Sequence, residues 1–278
     1  MNSLPKVNNK YFTTAIAVIS TIIFLFPVYW MVTTSIKPMS GILATTPQII
    51  PHEIQFQAYV KNFIQDTEIL RFFLNSVIIA TGSMILTLLF ASPFAYALAR
   101  LELRGKGWMI GFLLVVQMLP NIMLALPFFI LFSKLHLLNH FISLIIANAT
   151  LSMPFAILVL RPFFMSIPKG LEEAAVIDGC NRFAAFWKIV LPLAKPGLLT
   201  VGSFCFLHAW GDLLFALILT TDKSVRPLTV HLYTFVGQYG TDWNSLMAVA
   251  TVCVIPIIII FIAFQKHIVG GLASGSVK

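Results

Sequence analysis

Six stretches of this chain are long, apolar and almost free of charge, and few folds can hold such segments. Residues 12–36, 72–99 and 108–133 contain no Asp, Glu, Lys or Arg. Residues 135–160 carry only His136 and His140 as titratable groups, and residues 197–221 only His208 and Asp212. Residues 245–265 form the sixth stretch. A bilayer core of about 30 Å needs about 20 apolar residues in a helix. In lipid only helices and closed barrels satisfy their own backbone, and these runs are far too long and continuous for barrel strands. The reading is an all-α integral membrane protein with six transmembrane helices. Composition agrees: 59% of the 278 residues are hydrophobic and only 10% charged, too few to coat a globule in polar surface. A soluble enzyme, a disordered chain and a disulfide scaffold are therefore excluded.

Charge sets the orientation. The first run is too long for the apolar core of a cleaved leader, and no A-x-A pattern follows it, so it reads as a retained span. With both termini in the cytoplasm, twelve of the eighteen Lys and Arg fall on inside segments and six outside. This N-in, C-in topology accounts for most of the +8 formal charge, and no nucleic-acid partner is needed. Two connections are long: 37–71 outside, and 161–196 inside, the most charged part of the chain. Pro27, Pro93, Pro120, Pro127, Pro154 and Pro256 lie within the spans and read as kinks.

Motifs for chemistry are missing. There is no G-x-x-x-x-G-K-[ST], no G-x-G-x-x-G and no H-E-x-x-H, so the chain has no phosphate-cradling loop of its own. Cys180, Cys205 and Cys253 form no C-x-x-C pair. His136 and His140 share a face if their segment is helical, but no third metal ligand accompanies them. The sequon Asn148-Ala149-Thr150 lies inside an apolar run and is discounted.

The inside segment is more informative. Pro168 suits the first turn of a helix, and Glu172 and Glu173 follow where the helix dipole favours acid. Gly179 can end that helix in the left-handed conformation, and Asn181 can cap a second one stopping at Leu191-Pro192. Ala174 and Ala175 leave a low-relief patch beside Glu173, which lets another surface approach closely.

The spacing Glu173-Ala174-Ala175, Gly179, Ile189, Leu191-Pro192 resembles the EAA signature of permease subunits of bacterial ABC importers. The resemblance extends to Asn62-Phe63, to 72–76, to Tyr96-Ala97-Leu98-Ala99-Arg100, to 161–168, to 191–196 and to 271–278. Together these resemble the maltose-permease-type, carbohydrate branch, over nearly the whole chain. The resemblance implies a type I importer in the cytoplasmic (inner) membrane. A second homologous permease would complete the pore, and an extracytoplasmic binding protein would deliver a sugar. Two cytoplasmic ATPase subunits would hold the ATP and Mg, with no cofactor on this chain. It also implies that Glu172, Glu173, Ala174, Ala175, Asp178, Gly179, Ile189, Leu191 and Pro192 couple the chain to an ATPase. The implied organisation is an N-terminal helix with its outer segment (1–71), a type-1 transmembrane domain (72–265) containing the 161–196 loop, and a C-terminal tail (266–278) whose Gly-rich residues 270–278 either reach toward the ATPase or form a frayed end.

Asp212 is the only acid inside a predicted span, and such groups face a cavity or a partner by default. Glycine stands where the family usually has Asn in Trp210-Gly211-Asp212. His208, Trp210 and Asp212 are candidates for a translocation path, with a buried structural hydrogen bond as the alternative for Asp212. A cation-driven transporter would carry inverted repeats and more intramembrane acids, and a membrane enzyme a nucleophile–base pair. Neither pattern is found.

Overall fold

In the computed structural model, residues 10–237 and 240–276 are described. Helices dominate: α1 (Lys10–Ser35), α2 (Glu68–Arg100), α3 (Lys106–Gln117), α4 (Asn121–Lys134), α5 (Phe141–Ser166), α6 (Lys169–Ile177), α7 (Arg182–Leu193), α8 (Lys195–Trp210), α9 (Leu214–Leu219), α10 (Leu228–Thr234) and α11 (Trp243–Ser276). Four of them are continuous and apolar enough to cross a membrane, and two bent pairs bring the number of spans to as many as six. The chain divides into two compact units, one of residues 68–233 with the chain from Ile255 onward, the other of residues up to Thr67 with 234–254.

In the larger unit α2 packs along α5 and α8. Its core joins Ala91, Ala95 and Leu98 of α2 to Ala156, Leu160 and Phe164 of α5 and to Val201 and Cys205 of α8. Small residues at these crossings allow backbones to approach, which is how membrane helices gain contact without a hydrophobic drive between them. A Cβ on Gly197 would stand 2.5 Å from the Phe163 ring, and one on Gly82 2.7 Å from Ile145. The end of α2 that carries Asn75 is closed by polar contacts. Asn75 Nδ2 donates to the carbonyls of Ser224 and Arg226 at 2.9 Å each, and the Leu228 N–H donates to Ser76 Oγ at 2.8 Å.

The smaller unit contains α1, most of whose apolar residues are exposed, and short turns over Met39–Ile42, Gln57–Tyr59 and Val60–Gln65. A two-residue antiparallel hairpin pairs Val236–Gly237 with Gly240–Thr241. Asn244 Nδ2 donates to the carbonyls of Ser35 and Lys37 at 3.1 and 2.8 Å, and Lys61 pairs with Asp242 at 3.0 Å.

Four sequence expectations change. The third span is two helices, α3 and α4, bent by 94° at Met118–Pro120, because proline has no N–H to continue the ladder. The fourth begins at Phe141 rather than residue 135. His136 and Asn139 take positive φ (54° and 59°), so His136 and His140 share no helix face. The fifth stops at Trp210 and restarts at Leu214. In the C-terminal segment α11 keeps a helical backbone to Ser276, while Val277 and Lys278 lie outside the described residues.

Candidate functional site

Pro168 precedes α6 in an extended conformation, one position ahead of the first turn. The helix ends as its sequence demands. Gly179 takes φ +87°, its N–H donates to the Val176 carbonyl at 3.1 Å, and the Cys180 N–H donates to the Ala175 carbonyl at 2.9 Å. These paired bonds around a left-handed residue form a Schellman turn. Asn181 Oδ1 then accepts the Ala184 N–H at 2.7 Å and starts α7. That helix contains a π-type turn over Phe186–Val190 and runs to Leu193, past the expected stop at Leu191-Pro192; the chain then swings by 76° into α8.

The hairpin has two faces. Ala175 is the one buried residue of α6, while Glu173, Ala174, Val176, Ile177, Asp178 and Gly179 are exposed. Ile189 is half-buried, Leu191 packs against the core, and Pro192 is exposed. Glu172 points the other way. Its Oε1 sits 2.7 Å from Arg100 Nε, an ion pair rather than an aligned hydrogen bond, and its Oε2 accepts the Tyr96 hydroxyl at 2.7 Å. The two charged side chains are only 7% (Arg100) and 16% (Glu172) exposed. Arg100 Nη2 also donates to the Ile167 carbonyl. A cavity of about 460 Å³ lies against this cluster, lined by Tyr96, Arg100, Glu172, Glu173, Ile177 and Arg182 among others. The sequence suggested no role for Tyr96 and Arg100. The available signal was their spacing, since positions i and i+4 place a phenol and a guanidinium on one face at the end of an apolar helix.

Around the break in the fifth span, Asp212 is held by its own chain. Its Oδ1 accepts the Phe215 N–H at 3.2 Å, where α9 begins, and its Oδ2 accepts Asn148 Nδ2 at 3.2 Å. The Asp212 carbonyl accepts the Thr229 hydroxyl at 2.7 Å. Trp210 is buried, stacked on Phe206 with centroids 5.7 Å apart and meeting Phe73 edge-on at 5.6 Å. His208 is exposed. Among the described residues no group of three or more His, Cys, Asp and Glu could hold a metal.

Comparison with known proteins gives a consistent answer. Residues 91–273 match the family described as binding-protein-dependent transport system inner membrane component. The sulfoquinovosyl glycerol transport system permease SmoH of Agrobacterium fabrum is 35% identical over 91% of this chain and 89% of its own length. The trehalose transport system permease SugB of Mycobacterium tuberculosis is 37% identical over 94% of this chain and 96% of its own. Among solved structures, a chain of a bacterial ABC transporter involved in the import of the acidic polysaccharide alginate superposes with a TM-score of 0.78 at 26% identity, covering 95% of this chain and 99% of that one. A chain of the MetNI methionine ABC transporter, 17% identical with a TM-score of 0.58 over 73% of this chain and 95% of its own, shares the fold. The chain thus belongs to the binding-protein-dependent transport system inner membrane component family, and is a multi-pass membrane permease subunit rather than an enzyme.

Proposed function

We propose that this chain is one of two permease subunits of an ATP-driven importer, and that the solute is a sugar or oligosaccharide brought by an extracytoplasmic binding protein. The observation that carries the reading is the end-to-end likeness, at 35% and 37% identity, to permeases named for glycoside and disaccharide transport. Two ATPase subunits hold the ATP and Mg. In this reading both termini and the 161–196 segment face the cytoplasm, as the distribution of Lys and Arg favours.

The exposed face of α6 is the ATPase-docking surface. Glu173, Ala174, Asp178 and Gly179 present it, Ala175 seats the helix from behind, and Ile189, Leu191 and Pro192 brace the second arm. Glu172 serves the same loop from its inner side. The polar break at Gly211–Leu213, with His208 exposed one turn before it, is the part of this chain that meets solute; Trp210 supports it from behind and Asp212 holds it open. Residues 1–71 form the first span and outer segment, 72–265 the transport domain and 266–278 the tail.

The test is reconstitution of this chain with a partner permease, ATPase and binding protein encoded beside it. The expected result is ATP-dependent uptake of the glycan bound by that binding protein. Uptake that runs without ATP, or a binding protein that takes only amino acids or ions, refutes the proposal.

A further inference from the structure

Resting on the reading above, we infer that Tyr96, Arg100 and Glu172 form a positioning clamp that makes the docking helix α6 and the membrane helix α2 move as one body. Beyond its packing against α7, little apolar contact fixes α6. It has nine residues and buries only Ala175, so apolar packing alone sets its orientation weakly. One guanidinium holds it at two points: Arg100 pairs with Glu172 in the first turn and donates to the Ile167 carbonyl just before Pro168. A planar, permanently charged fork suits such a double grip.

Tyr96 fixes the third point. Its ring packs on Phe164 of α5 (5.9 Å, edge-on) and on Phe186 of α7 (4.8 Å), so its hydroxyl meets Glu172 from a frame shared by three helices. Because Arg100 and Glu172 are withdrawn from water, removing either charge strands the other in a poorly solvated place. The far side of this clamp is α2, an uninterrupted helix of 33 residues, about 50 Å long. A displacement of α6 is therefore delivered to the α2–α5–α8 core along α2. The competing route runs through α7, on which α6 also packs, and the 76° turn into α8.

The experiment uses the reconstituted complex, comparing wild type with Glu172→Gln, Arg100→Gln and Tyr96→Phe. Three readings are taken: ATPase subunits retained on purification, the ratio of hydrolysis with and without loaded binding protein, and uptake. The last two readings are taken on the complexes that retain their ATPase subunits. The stimulation ratio and uptake then fall about tenfold in Glu172→Gln and Arg100→Gln, a size usual for coupling between sites, and less in Tyr96→Phe, which keeps the ion pair. A merely structural role lowers retention and yield but leaves the stimulation ratio of the surviving complex at its wild-type value, and that pattern overturns the clamp, as does a wild-type ratio in Glu172→Gln.

Spin labels at Leu101→Cys and Ile177→Cys, both lining the cavity, test the geometry without any transport step. Their separation stays constant on ATP binding if α6 and α2 move together, and becomes nucleotide-dependent in Glu172→Gln. A nucleotide-dependent separation with the clamp intact sends the motion through α7 instead and overturns the inference. A wild-type complex whose hydrolysis ignores its binding protein refutes the importer reading, while the spin-label distance still decides the clamp.

Discussion

Replacing Asp212 tests whether its carboxylate is a cap or a charge. Asp212→Ala removes both oxygens. The Phe215 N–H loses its acceptor at the start of α9, and Asn148 loses one of the two acceptors of its amide. Phe215 is 1% exposed and Asn148 0%, so water reaches neither easily. An unsatisfied buried donor costs about 1–3 kcal/mol, and a lost helix cap about 1 kcal/mol. The cap and the Phe215 donor are one interaction, so the total is about 2–4 kcal/mol rather than the sum of three. Asp212→Asn keeps one oxygen for Phe215 and turns an NH2 toward the NH2 of Asn148. That conflict has an exit, because Asn148 Oδ1 is buried without a protein partner and can face the new amide if Asn148 flips. The flip gives up the 3.0 Å bond from Asn148 Nδ2 to the Leu144 carbonyl, costing about 1 kcal/mol. Thermal unfolding of the purified complex, followed by tryptophan fluorescence, should rank wild type above Asp212→Asn above Asp212→Ala. Uptake by Asp212→Asn should stay within about twofold of wild type, since losing about 1 kcal/mol from the roughly 5–15 kcal/mol typical of a folded protein still leaves nearly every molecule folded. An Asp212→Ala complex as stable as wild type refutes the cap. An Asp212→Asn complex that is stable yet transports nothing shows that the charge itself acts on the solute.

Three further outcomes are expected. Glu173→Lys and Gly179→Val should reach the membrane at normal levels but release the ATPase subunits. One reverses a charge on the exposed face of α6, and the other puts a β-branched residue at φ +87°, a strain of about 1–3 kcal/mol; normal ATPase retention in both would remove the docking role. In a cysteine-free background, a cysteine at the exposed position Gln57 should be labelled from outside intact cells and one at Gly105 only after permeabilisation, and the reverse pattern would invert the topology. Gly197→Ala should lower the melting temperature of the complex through overpacking of about 1–3 kcal/mol, because the Phe163 ring must leave its place; an unchanged melting temperature would mean that the ring moves freely.

The sequence made some of these features legible and hid others for identifiable reasons. The spans are visible because lipid demands continuous apolar runs, and Gly179 and Asn181 are visible because turn and cap chemistry are local. The division of the third span escaped because Pro120 was read as one kink among several, whereas periodicity carries no information on the size of a bend. The loss of a shared face for His136 and His140 depends on positive φ at His136 and Asn139, residue types that tolerate the left-handed region but that no apolar pattern marks. The pairing of Arg100 with Glu172 joins positions far apart in sequence, and Asn148 drew notice only as part of a sequon. Long-range polar contacts of this kind follow from the fold rather than from any window of the chain.

The 94° bend at Met118–Pro120 bears on which medium each face of the subunit meets. The Met118 and Leu119 N–H groups turn back to the Val115 and Val116 carbonyls at 3.1 and 3.2 Å, but Pro120 offers no N–H to continue the ladder, and a broken helical path in hydrocarbon persists only against protein or water. Met118 and Leu119 are 82% and 42% exposed on this chain alone. At membrane depth such a site is expected to be covered in the assembled transporter, by another subunit or by a hydrated lumen. Lipid accessibility, read by brominated-lipid quenching of a tryptophan placed at Met118, should be low there and high for one placed at the exposed Ile85 of the unbroken α2.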